Sequence, residues 1–299
     1  MKSFNQTVLD FQTLSGDNST DTQTLGKSLI NTCIKRVLAR ADWTFNKDSK
    51  TYTSVASQQD YDPPYNAARL EGVSVYVGGV WYVPQEVRGG EAWRKLNAVT
   101  VTSDIPNYWY VSNRTKKWSL FPIPSSSGNT MVLKFLKKIR DYSAADYTTG
   151  TITTTANSTA IVGDTTVWTK RMIGRYIQIT SADTIIGDYW FEITDVIDDT
   201  HLTVRELVPV AVTGASYTIA EMIPLPDGFE DIPLWYALDL YYQMREAPVL
   251  AREYERMWKE SLEELEGRDA RSSVDILKKQ GKLYPTNPNE NPWAITITE

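Results

Sequence analysis

The chain has 299 residues, with 31 Lys and Arg against 37 Asp and Glu, 41% hydrophobic and 23% charged residues, a balance that excludes wholesale disorder and collagen-like chains. A single cysteine, Cys33, and a single histidine, His201, exclude a disulfide-stapled scaffold and leave too few ligands for a zinc site of the usual kind. No apolar run approaches the ~18 residues of a membrane helix, and Met1 to Gln6 lack the apolar stretch of a signal peptide. The unusual numbers are 10 Trp and 17 Tyr, amphipathic rings that suit contact surfaces as well as cores.

The first predicted element is a helix from Asp21 to Ala41. Leu25, Leu29, Cys33, Val37 and Ala41 recur four apart, and Ile30, Ile34 and Leu38 widen the stripe. Asp21 or Thr22 caps its start in this reading, and Lys35, Arg36 and Arg40 favour its C-terminal dipole. Cys33 lies on the apolar stripe and reads as a buried structural thiol.

From about 70 to 140 the period becomes two. Val73 to Val77 alternates, Gly78-Gly79 turns, and Val80 to Val83 returns, which predicts a two-residue hairpin. Asn107 to Val111, Trp118 to Phe121 and Met131 to Ile139 follow as strands of an antiparallel meander. Residues 147–220 hold 17 Thr in 74 residues. Strands are predicted near 150–154, 159–162, 174–180, 189–197, 201–205 and 215–220, with turns at Gly163-Asp164, Gly187-Asp188, Asp198-Asp199 and Gly214. Six short strands at that spacing fit a small barrel or sandwich.

Helix resumes after Pro224-Leu225-Pro226. Leu234, Ala237, Leu238 and Tyr241 share one face, with Pro233 confined to the first turn. Pro248 opens a second helix whose inner face is Leu250, Tyr254, Met257, Ser261, Leu262 and Leu265, ending at Gly267. The two form an antiparallel helical hairpin. Residues 268–299 carry Pro285, Pro288 and Pro292 among asparagines and close on Ile295-Thr296-Ile297-Thr298, the pattern of an extended arm.

The fold class is therefore α+β. The expected domains are a discontinuous body of residues 1–146 and 221–266, an inserted Thr-rich all-β module over 147–220, and an arm over 267–299. Charge divides the same way: +5 over 1–146, −4 over 147–220 and −7 over 227–269. Such asymmetry suits subunits that stack a basic face on an acidic one. The cluster Lys134, Lys137, Lys138 and Arg140 reads as a guarded strand edge or as a phosphate-facing patch.

Motifs for chemistry are missing. No phosphate loop, G-x-S-x-G elbow, H-E-x-x-H or kinase set occurs, and nothing calls for a cofactor or metal. His201 stands at a strand start with no motif pairing it to a nucleophile. Asp195, Asp198 and Asp199 lack the spacing of a calcium loop. Paired carboxylates beside Trp keep a glycan-hydrolysing or carbohydrate-binding protein as the alternative.

Ile105-Pro106-Asn107-Tyr108-Trp109-Tyr110-Val111, Leu120-Phe121-Pro122-Ile123-Pro124, and Leu225-Pro226-Asp227-Gly228-Phe229-Glu230 leading into Trp235 to Tyr242 follow one another in order. The set resembles the head-to-tail adaptor (connector) proteins of tailed bacteriophages over about 21–146 and 221–266. The resemblance implies a structural, non-enzymatic virion protein of the neck, assembled in the host cytoplasm. It implies a homododecameric ring under the portal protein that extends the DNA channel without sequence-specific binding and docks a tail or stopper protein, with no membrane partner. The C-terminal arm would reach the portal or a neighbour, with Tyr284, Trp293, Ile295 and Ile297 as its contacts.

Overall fold

A computed structural model describes residues 2–142, 145–180, 187 and 189–281, with side chains as far as Ala270. Within these residues the chain forms the helices α1 (Phe4–Ser15), α2 (Thr20–Arg40), α3 (Gly90–Leu96), α4 (Ile232–Met244) and α5 (Pro248–Gly281), with fifteen strands. Two compact units divide it: residues 1–41 with 139–267, and residues 42–138 with 268–299.

In the first unit, α2 lies where its stripe predicts, burying Ile30, Cys33, Ile34, Val37 and Leu38. Its cap is Ser19 rather than Asp21 or Thr22: the Ser19 hydroxyl accepts from the Thr22 amide at 3.2 Å. α1 is an addition to the sequence reading. Ser3 caps it, and Phe4, Val8 and Phe11 give it a buried face. The two helices approach closely at Gly26, where an added Cβ would stand 2.5 Å from the Phe11 ring. In α4, Pro233 sits in the first turn as expected. α4 and α5 run antiparallel: Tyr236 meets Trp258 edge to face at 5.5 Å, Tyr242 stacks on Tyr254 at 5.7 Å, and the Trp258 indole donates to Asp239 at 3.0 Å.

Two expectations for α5 fail. Gly267 does not end it; the helix runs on to Gly281, so residues 267–281 are helical rather than an extended arm. A glycine costs a helix only about 1 kcal/mol, which neighbouring good helix formers offset. Leu250 is exposed rather than inward, because Ala251, Leu262 and Leu265 hold the buried stripe. The rest of the expected arm, 282–299, lies outside the described residues.

The second unit holds β1 (Lys47–Thr53), β2 (Asp60–Tyr61), β3 (Ala67–Val77), β4 (Val80–Tyr82), β5 (Gln85–Glu86), β6 (Tyr108–Val111), β7 (Trp118–Phe121) and β8 (Thr130–Lys137). They form two four-stranded sheets, β1-β8-β3-β4 and β2-β7-β6-β5. The expected β3–β4 hairpin turns on Gly78 and Gly79, both at positive φ, the requirement of a primed turn. The β6–β7 hairpin is also as read. β8 instead returns to pair with β3 and β1, and β5 joins β6 in parallel. Tyr61, Val73, Val75, Trp109, Trp118, Leu120, Met131 and Leu133 form one core shared by both sheets. In the same unit, the α5 residue Asp269 accepts from the Thr44 amide at 3.0 Å.

Residues 151–220 build a seven-stranded antiparallel sheet from β9 (Thr151–Thr154), β10 (Ser158–Asp164), β11 (Tyr176–Ile179), β12 (Trp190–Val196), β13 (His201–Val208), β14 (Val212–Ala215) and β15 (Tyr217–Ala220), in the order β14-β9-β10-β13-β12-β11-β15. Its two edge strands are consecutive in sequence, and Tyr147, just before β9, bridges to Ile219 on β15, so the sheet nearly closes into a barrel. Fifteen buried side chains, mostly Ile, Val and Leu, fill it. Gly214 is not a free turn. It lies inside β14 at φ 65, where the register with β9 slips by a bulge. Gly163 and Asp164 end β10, and the chain turns one residue later, at Thr165.

The charge asymmetry sharpens when drawn along these units. The unit of 1–41 and 139–267 has 14 basic and 25 acidic residues, a balance of −11; the other has 17 and 12, a balance of +5.

Candidate interaction surfaces

Each sequence-level candidate for chemistry resolves into a local structural role. Cys33 is buried on α2, and desolvation pushes its thiol up to about 12, with Arg36 pulling weakly the other way. His201 opens β13 at the surface, its Nδ1 2.9 Å from Asp198 and 3.0 Å from Thr200 Oγ1. Asp198 accepts from the Thr200 amide at 2.8 Å, and that bond, with the His201 contact, holds its carboxyl down at about 2. Asp195 likewise accepts from its neighbour's amide, Val196, at 2.9 Å. Among the described residues no three His, Cys, Asp or Glu side chains are arranged to hold a metal ion.

Nine of the 25 Trp and Tyr rings among the described residues are buried, and most of the others are half-buried. Trp43, Trp109, Trp118 and Trp168 are buried. Trp118 lies against Tyr61 at 4.8 Å and Tyr52 at 5.3 Å, and Trp168 donates to Tyr217 at 3.0 Å within the barrel. The aromatic platform that a carbohydrate site needs is correspondingly thin: Trp168 is covered, Tyr176 and Trp190 are half-buried, and Tyr189 alone of that group is exposed.

The basic cluster also comes apart. β8 is central rather than an edge, so Lys134 projects from a sheet face. Arg140 donates to the carbonyls of Ile173 and Gly174 at 3.1 and 2.8 Å and serves as a structural tie. On α5, Arg256 pairs with Glu260 and Lys259 with Glu255, while Glu253, Glu263 and Glu264 face solvent.

Tyr284, Trp293, Ile295 and Ile297, predicted as interface residues, lie outside the described residues. The structure adds two apolar surfaces that the pattern of residues did not flag. One surrounds the α4–α5 turn, where Met244, Val249 and Leu250 are exposed beside a shallow pocket of about 300 Å³ lined by Gln243, Glu246, Ala247 and Arg252. The C-terminus of α1 is held there too. Tyr242 donates to the Leu14 carbonyl at 2.8 Å, Arg245 pairs with Asp17 at 3.1 Å, and Leu14 is itself exposed. The available signal was Val249-Leu250 directly after Pro248: apolar residues in a first turn precede the stripe that fixes the inner face. The other surface is the outer margin of β4, with Val80 and Val83 exposed.

A family model described as SU10 adaptor protein matches residues 6–158, from α1 through both sheets to the start of β10. No curated protein matches the chain. No helix among the described residues is long and apolar enough to cross a membrane. The matched segment spans just over half of the chain and contains the Tyr108–Val111 and Leu120–Pro124 motifs that carry the resemblance. The chain belongs to the SU10 adaptor protein family, structural adaptors of phage virions.

Proposed function

We propose that the protein is the head-to-tail adaptor of a tailed phage: it forms a ring, homododecameric by the family resemblance, beneath the portal, extends the DNA channel and docks a tail or stopper protein. The family match over 6–158 carries this reading. The opposed charges of the two compact units support it, since unlike charge on different parts of a subunit favours association between copies. In this reading the protein works by contact, without a catalytic group or cofactor. DNA slides past without sequence-specific readout, and assembly takes place in the host cytoplasm. Residues 147–220 are an inserted module on a body of 1–146 and 221–266, and Tyr284, Trp293, Ile295 and Ile297 bind the portal or a neighbouring subunit. Phage made without this chain should accumulate DNA-filled heads lacking tails, and supplying the wild-type chain should restore infectivity. Normally tailed, infectious particles without it would overturn the proposal.

A further inference from the structure

A sheet edge left bare is a template for another strand, and folded proteins commonly guard such edges with charge, proline or brevity. The edges of the 42–138 unit differ in this respect. β1 carries Lys47, Asp48 and Lys50; β2 has two residues and is followed by Pro63 and Pro64; β5 has two residues, one of them Glu86, with Arg88 close behind. β4 is also short, at three residues, and Pro84 follows Val83, but it and the residue after it, Val80-Trp81-Tyr82-Val83, carry no charge. Val83 is 69% exposed, and among the described residues no backbone hydrogen bond reaches 80–83 from outside β3. In a two-residue hairpin closed by Val77 and Val80, that pair exchanges both of its bonds. Alternation then turns the N–H and C=O of Trp81 and Val83 outward.

The chain supplies a segment that fits. It continues for residues 282–299 beyond the end of α5 and closes on Ile295-Thr296-Ile297-Thr298, four uncharged residues alternating with period two, to match the four along the β4 edge. The prolines at 285, 288 and 292 all precede it, so every amide from Trp293 onward can donate. Residues 282–294 reach at most about 43 Å.

We propose that Ile295–Thr298 of one copy adds as a strand to the β4 edge of a neighbouring copy. Main-chain bonds to Trp81 and Val83 would provide affinity, and the side chains of Ile295 and Ile297 register. The contact is head-to-tail and repeats from copy to copy. It rests on the self-assembly proposed above, which supplies the neighbour.

Cysteine cross-linking tests it directly, because the only native thiol, Cys33, is buried and unreactive. Full-length Val83→Cys and Ile297→Cys proteins, mixed and oxidised, should give a disulfide-linked pair of chains, since facing strand residues stand within disulfide reach. Thr296→Cys covers the alternative register. The double variant should give a ladder of linked chains. No linkage with either partner, or linkage only within single chains, overturns the proposal. Val83→Pro removes one outward amide without touching the β3 pairing, and it should weaken self-association at least about tenfold with an unchanged melting curve. Undiminished assembly of that variant contradicts the proposal. Linked chains from a protein that phage neck assembly does not need would overturn the adaptor function and leave this contact standing; tailless heads without any linkage would do the reverse.

Discussion

At the residue scale, burial decides what each unusual side chain does. The thiol of Cys33, raised to about 12, is almost entirely protonated at pH 8. A thiol reagent should therefore leave the native protein unmodified and react fully once urea unfolds it; prompt native-state reaction would contradict the buried placement. Asp198 shows the opposite shift, from the usual 3.8 down to about 2, through the Thr200 amide first and His201 second. A depressed carboxylate favours the folded turn fully above about pH 4, and that contribution is lost as pH falls through about 2. A carbon-detected titration should place the Asp198 midpoint near 2, and a midpoint near 4 would show the turn bond is not made. Arg175 and Glu221 stand 3.6 Å apart at 13% and 4% exposure, and desolvation presses the Arg175 value down while Glu221 opposes it. Glu221→Gln, which leaves a buried cation behind, should destabilise by about 3 kcal/mol in urea unfolding, against no more than about 0.5 kcal/mol for Glu91→Gln in an exposed pair on α3.

At the element scale, packing overrules propensity at Gly26. Alanine favours helix by up to about 1 kcal/mol, yet its Cβ would meet the Phe11 ring at 2.5 Å, and overpacking of that kind costs about 1–3 kcal/mol. Gly26→Ala should lower the urea midpoint with an unchanged slope, whereas a rise would show that α1 moves freely. Elements were legible wherever one period ran long enough. α2, α4, the Gly78-Gly79 hairpin and six of the seven barrel strands were readable because a buried face repeated over several residues; β14 (Val212–Ala215) was missed because Gly214 reads as a turn. α1 was missed because three apolar anchors in twelve residues make a weak stripe, decided by packing on α2 and α4. The end of α5 was misplaced because Gly267 resembles a cap in sequence, while the contacts that keep the helix going, such as Asp269 to Thr44, are 225 residues apart. The same limit hid the pairing of β8 with β1, which joins strands about 80 residues apart.

For the whole molecule, the net charge of −6 conceals units of −11 and +5. If neighbouring subunits meet through those oppositely charged units, association should weaken as salt rises from about 50 mM to about 500 mM, where screening shortens to a few ångströms. Sedimentation at the two ionic strengths reads this out, and salt-independent association would assign the contact to apolar surface alone. The adaptor family was legible from the order of three short motifs, two of which fall within the matched segment. The interaction surfaces were less so, because the exposure of Leu250 and the bare margin of β4 depend on which neighbours the fold provides. The measurement that bears most directly on the adaptor function is electron microscopy of the purified protein mixed with the portal of its phage. Closed twelvefold rings seated coaxially on the portal are the predicted result; portal particles that stay bare beside unassembled protein would contradict it.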